Sequence, residues 1–124
     1  VRTWWVETLD LGKVFSRAIV SIDVNNETIT AMGEGVGPVH ALDEAIKSAI
    51  SKKFPELANI KLINYKVTVL DSNDGTAATV RVYTEFLFGD KNWATTAVSR
   101  NIVEASLKSI LDGYIYLLAI MNRG

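Results

Sequence analysis

From Phe15 to Val24 apolar and polar residues alternate, with Ala18, Val20, Ile22 and Val24 on one side and Arg17, Ser21 and Asp23 on the other. A period of two predicts a half-buried strand. Residues 3 to 11, rich in Trp, Val, Thr and Leu, predict a strand before it, turned by Gly12 and Lys13. Asn25, Asn26 and Glu27 predict a hairpin turn, and Thr28 to Met32 a third strand. After Pro38 the period changes: Val39, Leu42, Ile46, Ala49, Ile50 and Phe54 recur at spacings of three and four, a helical stripe that Pro55 ends. The order then repeats. Ile60 to Leu70 predicts a strand with Ile63, Tyr65, Val67 and Val69 on one face. Asp71 to Gly75 carry turn chemistry. Thr76 to Phe88 predict a second strand, with Ala78, Val80, Val82 and Phe86 inward, and Trp93 to Val98 a third after a turn at Gly89 to Asn92. Ser99 or Asn101 is placed to cap a last helix carrying Ile102, Ala105, Ile110, Tyr114 and Leu117.

The chain thus reads strand-strand-strand-helix twice, in repeats of about 1–55 and 56–124. Hairpins joined to a covering helix predict the α+β class with antiparallel sheets. The last helix is apolar all round from Tyr114 to Met121, which one sheet face cannot cover; a second subunit over residues 101–121 would. Between the third strand and the first helix, Gly33, Gly35 and Gly37 stand at every second position before Pro38. Proline at the first helical position costs nothing, because that N–H has no intrahelical partner. The stretch predicts a tight loop whose free backbone N–H groups, with the helix dipole, suit a carboxylate or a phosphate.

Composition narrows the chemistry. The 124 residues fit one domain, and 48% hydrophobic content leaves apolar surface for a subunit contact. A net charge of −1, from 13 basic and 14 acidic residues spread throughout, gives no footprint for nucleic acid or an anionic membrane. Without cysteine there is no disulfide, thiolate metal site or thiol nucleophile, which suits a cytoplasmic protein. His40 is the single histidine, so neither a Ser-His-Asp triad nor a paired-His metal site can be assembled. The glycines lack the spacing of a dinucleotide fingerprint and the lysine of a P-loop. The run Tyr114 to Met121 is too short to span a bilayer. With Trp4 and Trp5 so near its start, the chain reads as a domain of a longer polypeptide. The residues alone leave a binding or assembly module rather than an independent enzyme, with no cofactor and no metal expected.

Three stretches carry a resemblance. Gly35-Val36-Gly37-Pro38-Val39-His40-Ala41-Leu42 looks like a G-x-G-P-V-(D/N)-A segment. The second runs from Phe54-Pro55-Glu56-Leu57 through Leu62, Tyr65-Lys66-Val67 and Val69-Leu70 to Gly75-Thr76-Ala77-Ala78 and Val80-Arg81-Val82. The third comprises Trp93, Val98-Ser99, Asn101-Ile102 and Glu104-Ala105-Ser106, continuing to Asp112 and Tyr114. Together they resemble the C-terminal regulatory domain of 2-isopropylmalate and citramalate synthases, nearest the citramalate branch. His40 departs from the usual Asp or Asn, Thr96-Ala97 from a usual Val-Gly, and Val36 from a position often polar.

The resemblance implies two βββα units related by a pseudo-twofold axis and a homodimer around the helices. It also implies an N-terminal (β/α)₈ barrel, absent here, that condenses acetyl-CoA with a 2-oxo acid, so this domain by itself is not catalytic. The implied partner is a branched-chain amino acid, isoleucine first and leucine second, acting as feedback inhibitor; a ligand-free dimerisation module is the rival reading. The carboxylate is expected on the N–H groups of Gly35, Val36, Gly37 and Val39 around Pro38, and the ammonium on carbonyls at Val98 and Ser99. The family's side-chain pocket falls on Leu62, Tyr65, Val69, Thr76 and Ala78. Leu62 has the wrong parity to share a face with Tyr65 and Val69, so its membership requires a bend or bulge in that strand.

Overall fold

The computed structural model describes residues 3–10, 12–70 and 79–121; Thr76 and Ala78 lie outside them. Two compact units, Val1–Asn59 and Ile60–Gly124, each hold a three-stranded antiparallel sheet followed by a helix. The α+β class and the doubled βββα order are therefore as the periodicity predicts.

In the first unit β1 (Thr3–Asp10), β2 (Val14–Val24) and β3 (Glu27–Gly35) pair in that order, and α1 (Pro38–Ser51) crosses one face. The β2–β3 hairpin turns on Asn25 and Asn26, with φ of 51° and 67°. Two left-handed residues match the twist of the strands, and asparagine tolerates that region better than most side chains. Ala18, Val20 and Ile22 of β2, with Ile29 and Ala31 of β3, are buried against Leu42, Ala45, Ile46 and Ala49 of α1. The opposite face carries Arg17 between Glu7 and Glu34, at 3.7 and 3.4 Å. After α1 a 3₁₀ turn, Pro55–Asn59, packs its Leu57 under the helix end and carries the unit four residues beyond Pro55.

The glycine stretch needs correcting. Gly33 and Gly35 are not loop residues: they continue β3, opposite Ala18 and Ser16. A Cβ on Gly33 would lie 2.6 Å from the Ala41 carbonyl oxygen, and one on Gly35 would lie 2.8 Å from the Ala41 nitrogen. These glycines serve the close approach of strand and helix backbones. The loop itself shrinks to Val36 and Gly37.

In the second unit β4 (Lys61–Leu70), β5 (Thr79–Phe88) and β6 (Lys91–Ser99) pair in order, and α2 (Ile102–Met121) lies over β5 and β6. Phe86 anchors the core, its ring 5.7 Å from that of Trp93 and 5.8 Å from that of Tyr114. Gly113 admits the Phe86 ring, whose Cζ would stand 2.6 Å from any Cβ there. Ile102, read from the sequence as a core position, is 45% exposed.

Aligning the units on the first residue of each helix sets Gly37 beside Asn101, His40 beside Glu104 and Ala45 beside Ser109. The strand registers agree, so Val20 and Ala31 correspond to Thr84 and Thr95. One contact is thus built twice from different chemistry. Val20, Ala31 and Ala45 are apolar, whereas Thr84, Thr95 and Ser109 form a hydroxyl cluster. Thr95 Oγ1 donates to the Ser109 carbonyl at 2.6 Å, and Ser109 Oγ to the Thr95 carbonyl at 3.1 Å. Thr84 Oγ1 lies 2.7 Å from Ser109 Oγ and 2.9 Å from Thr95 Oγ1. No buried hydroxyl in the cluster is left without a partner, as burial demands.

Candidate functional site

At the β3–α1 junction, Gly37 is the N-cap, with φ −152° and ψ 175°, and makes no side-chain cap. Pro38 opens the helix and brings no N–H. Ala41 N–H already bonds the Gly37 carbonyl at 3.0 Å. Val36 N–H donates to His40 Nδ1 at 3.4 Å. The N–H groups of Val39 and His40 are uncapped by any side chain, with no acidic residue in the first turn. Among Gly35, Val36, Gly37, Pro38 and Val39, Val36 and Pro38 thus drop out as donors, and the helix's own first turn adds His40. Gly37 is not demanded by packing: its φ is ordinary, and no heavy atom lies within 4 Å of a Cβ built on it. Glycine there leaves the helix end open, where Ser, Asp or Asn is favoured.

The corresponding end of α2 is closed. Asn101 Oδ1 accepts from Val103 N–H at 2.8 Å and from Glu104 N–H at 3.0 Å. Ser99 Oγ accepts from Asn101 N–H at 3.1 Å and donates to Glu104 Oε1 at 2.9 Å. That donation, helped by Lys108 one turn on, holds the Glu104 carboxyl below its ordinary range. The Ser99 side chain is committed to capping, so only its backbone is available to a ligand. Val98 pairs with Arg81 on the sheet face away from α2; it too can offer only backbone carbonyls.

The other predicted residues lie along β4. A bulge between Leu62 and Asn64 inserts Ile63 as an unpaired extra residue, so that Leu62 faces Phe86 while Tyr65 faces Thr84. Directly opposed residues share a face. Leu62, Tyr65, Val67 and Val69 therefore all face the helix side, and Ile63, expected with them, drops out. The parity obstacle for Leu62 is removed by the bulge. Because α2 sits over β5 and β6, this side of β4 lies beyond the helix's edge, and Val69 is 66% exposed although it faces the helix side. The result is a shallow, one-sided apolar groove along β4, with α2 over the neighbouring strands on one side and the open edge of the sheet on the other. Its far end shares a register row with Val80 and Ser99.

One group at this groove has no obvious sequence signal. Ser106, buried on α2, donates Oγ–H to the Ile102 carbonyl at 2.7 Å, and the Tyr65 hydroxyl lies 3.3 Å from the same Oγ. A serine hydroxyl has one proton, so Tyr65 is the donor. A serine on a helix face ordinarily reads as solvent-facing, and the resemblance that includes Glu104-Ala105-Ser106 gives Ser106 no role at the site. Asp43, beside His40 in sequence, is likewise buried, with Lys47 Nζ 3.8 Å from its carboxylate. Among the described residues no group of three or more His, Asp or Glu side chains converges to hold a metal ion, and no helix is long and apolar enough to cross a membrane.

Comparison with known proteins places these features in context. Residues 6–118 match the family described as the LeuA allosteric (dimerisation) domain. The chain is 41% identical over 107 residues to the (R)-citramalate synthase of Synechocystis sp., a match covering 86% of this chain and 20% of that protein. Against the (R)-citramalate synthase of Streptomyces coelicolor the identity is 38% over 118 residues, covering 94% and 22%. The 2-isopropylmalate synthase of Methanocaldococcus jannaschii is 32% identical over 108 residues, covering 87% and 19%. The chain spans about a fifth of the length of these relatives.

Proposed function

Because the chain belongs to the LeuA allosteric (dimerisation) domain family, we propose that it is the effector-binding and dimerisation domain of a citramalate synthase, inhibited by a branched-chain amino acid, isoleucine before leucine. The parent enzyme is then a cytoplasmic acyltransferase that condenses acetyl-CoA with pyruvate on a separate barrel domain. The observation that carries the reading is the match over residues 6–118 to a domain described as allosteric, among relatives named for citramalate synthesis. The similarity to a 2-isopropylmalate synthase supports a second reading with the same architecture, in which leucine is the effector.

Two local features support an amino-acid ligand. An uncapped helix end presents two N–H donors where partial positive charge gathers, which suits a carboxylate. The groove of Leu62, Tyr65 and Val69 is apolar and partly open, which suits a branched side chain. Carbonyls at Val98 and Ser99 remain the proposed ammonium partners, and Thr76 and Ala78 remain proposed pocket residues. The dimer is proposed to form on α2, where Ile115 and Tyr116 are 51% and 50% exposed on its last turns.

Calorimetric titration of the chain with isoleucine, leucine and valine tests the effector, with isoleucine expected to bind most tightly. Heat from none of the three overturns it in favour of a ligand-free dimerisation module. A pocket separates the two leading candidates by little, since one methylene is worth about 1–3 kcal/mol. Sedimentation at tens of micromolar tests the dimer, and a monomer there refutes it.

A further inference from the structure

We propose that the hydrogen bond from Tyr65 to Ser106 is a latch that couples ligand occupancy of the β4 groove to the seating of α2. The proposal rests on the effector reading above and adds to it the route by which the ligand is felt.

The sheet holds α2 by side-chain hydrogen bonds at successive levels. Trp93 Nε1 donates to the Gly113 carbonyl at 3.0 Å. The Thr84–Thr95–Ser109 cluster holds the middle of the helix. Both attachments come from β5 and β6, the strands beneath the helix, and both are buried or partly buried. The third comes from β4, which the helix does not cover, and here one tyrosine side chain spans the gap. Its proton goes to Ser106, whose own proton goes to the carbonyl of Ile102, the first residue of α2. A relay of two hydroxyls therefore joins the groove wall to the first turn of the helix.

This attachment differs from the other two in its surroundings. Tyr65 stands on the same strand face as Val67 and Val69, which are exposed, so a branched aliphatic side chain entering the groove packs against the tyrosine ring. Whatever fixes that ring fixes the reach of its hydroxyl. At 3.3 Å the bond is longer than the roughly 2.5–3.0 Å usual between two hydroxyls, so a small movement of the ring makes or breaks it. The helix answers as one body, and its far end carries Ile115 and Tyr116, the proposed subunit contact. A ligand shifts an equilibrium only by its difference in affinity for the two states. The latch supplies that difference, because it closes in one seating of α2 and opens in the other.

The variant that isolates the latch is Ser106→Ala, which leaves Tyr65 and the groove wall in place and puts a good helix former inside a helix. The measurement is the dimer dissociation constant by sedimentation, with and without saturating isoleucine, alongside calorimetric affinity for isoleucine. In the unaltered chain isoleucine is expected to change the dimer constant by about fivefold or more, the lower range of allosteric coupling. In Ser106→Ala, isoleucine binds within about threefold of the unaltered chain, and the dimer constant changes less than about twofold with ligand. Tyr65→Phe, which keeps the ring and removes only the hydroxyl, gives the same loss of coupling and carries the test if Ser106→Ala does not fold, its response being read at isoleucine concentrations that calorimetry shows to saturate it. Ser106→Thr, which restores a hydroxyl, restores the response. A folded Ser106→Ala or Tyr65→Phe whose dimer constant responds as fully as the unaltered chain overturns the latch. So does loss of isoleucine binding in folded Ser106→Ala, because the hydroxyl then acts in the pocket itself. If the unaltered chain binds no branched-chain amino acid, the effector reading falls and the latch with it. If it binds one and either folded variant still couples as fully, the latch alone falls.

Discussion

Substituting Gly37 by asparagine makes the first unit imitate the second. Asn101 stands at the corresponding position and places Oδ1 2.8 and 3.0 Å from the second and third N–H groups of α2. At Gly37 the same side chain meets open space, and the N-cap backbone is already extended, so the introduced carboxamide would reach the N–H groups of Val39 and His40 without strain. Two consequences of opposite sign follow. Stability rises by a few tenths of a kcal/mol, the usual difference between Asn and Gly at an N-cap. Effector affinity falls, because the donors proposed for the carboxylate are spent. A hydrogen bond to a charged group is worth about 1.5–3 kcal/mol, which at 1.4 kcal/mol per decade gives a roughly ten- to hundredfold weaker dissociation constant. Gly37→Ala is the control: its Cβ fits, it caps nothing, and it should bind isoleucine as the unaltered chain does while losing about 0.5 kcal/mol as a poorer N-cap. Urea unfolding and calorimetric titration of the three proteins read both quantities. A Gly37→Asn chain that is stabilised yet binds isoleucine unchanged refutes the placement of the carboxylate at α1.

Gly33→Ala forces β3 away from α1 against backbone atoms that cannot yield, and should cost about 1–3 kcal/mol or more by urea unfolding; an unchanged midpoint refutes the close-packing argument. Thr84→Val, which copies Val20 into the second unit, should cost no more than about 1 kcal/mol, because Thr95 and Ser109 keep their own protons on carbonyls. The Glu104 carboxyl titrates below its ordinary value of 4.5, so its stabilising contribution is present above that pH and is lost as pH falls through the lowered folded-state value. The thermal midpoint of the unaltered chain should therefore fall more steeply below pH 4.5 than that of Glu104→Gln, and parallel curves refute the assignment.

Periodicity carried the doubled fold because each strand buries one face and each helix one stripe, as with Ala18, Val20 and Ile22 against Leu42 and Ile46. It failed where a backbone event changes the count. The bulge at Ile63 shifts every residue before it to the other face, and no side chain announces it: Leu62, Ile63 and Asn64 would each fit a regular strand. The glycines misled in another way. A run of Gly33, Gly35 and Gly37 reads as a tight loop, yet two of the three serve helix–strand contact and only Gly37 leaves an opening. The loss of Val36 from the donor set depended on His40 Nδ1 taking its N–H, a contact across four residues that composition does not encode. The hydroxyl cluster was invisible for a simpler reason: Thr84, Thr95 and Ser109 are polar residues at inward positions, and only their mutual bonding makes those positions tolerable.

In both units the helix follows the whole sheet in the chain, and this order bears on how the protein is made. Each sheet is built from hairpins, whose contacts are local and form in microseconds. During synthesis β1, β2 and β3 can therefore pair before α1 has left the ribosome. The 16 residues from Val36 to Ser51 take about one to three seconds to emerge at 5–20 residues per second. Throughout that interval Ala18, Val20, Ile22, Ile29 and Ala31 form a naked apolar sheet face on the nascent chain. The second sheet passes through the same state with Val82 and Phe86 uncovered, until α2 follows. A ribosome pause that holds a sheet outside the exit tunnel with its helix still inside should lengthen this window and raise aggregation, whereas a pause after the helix has emerged should be harmless.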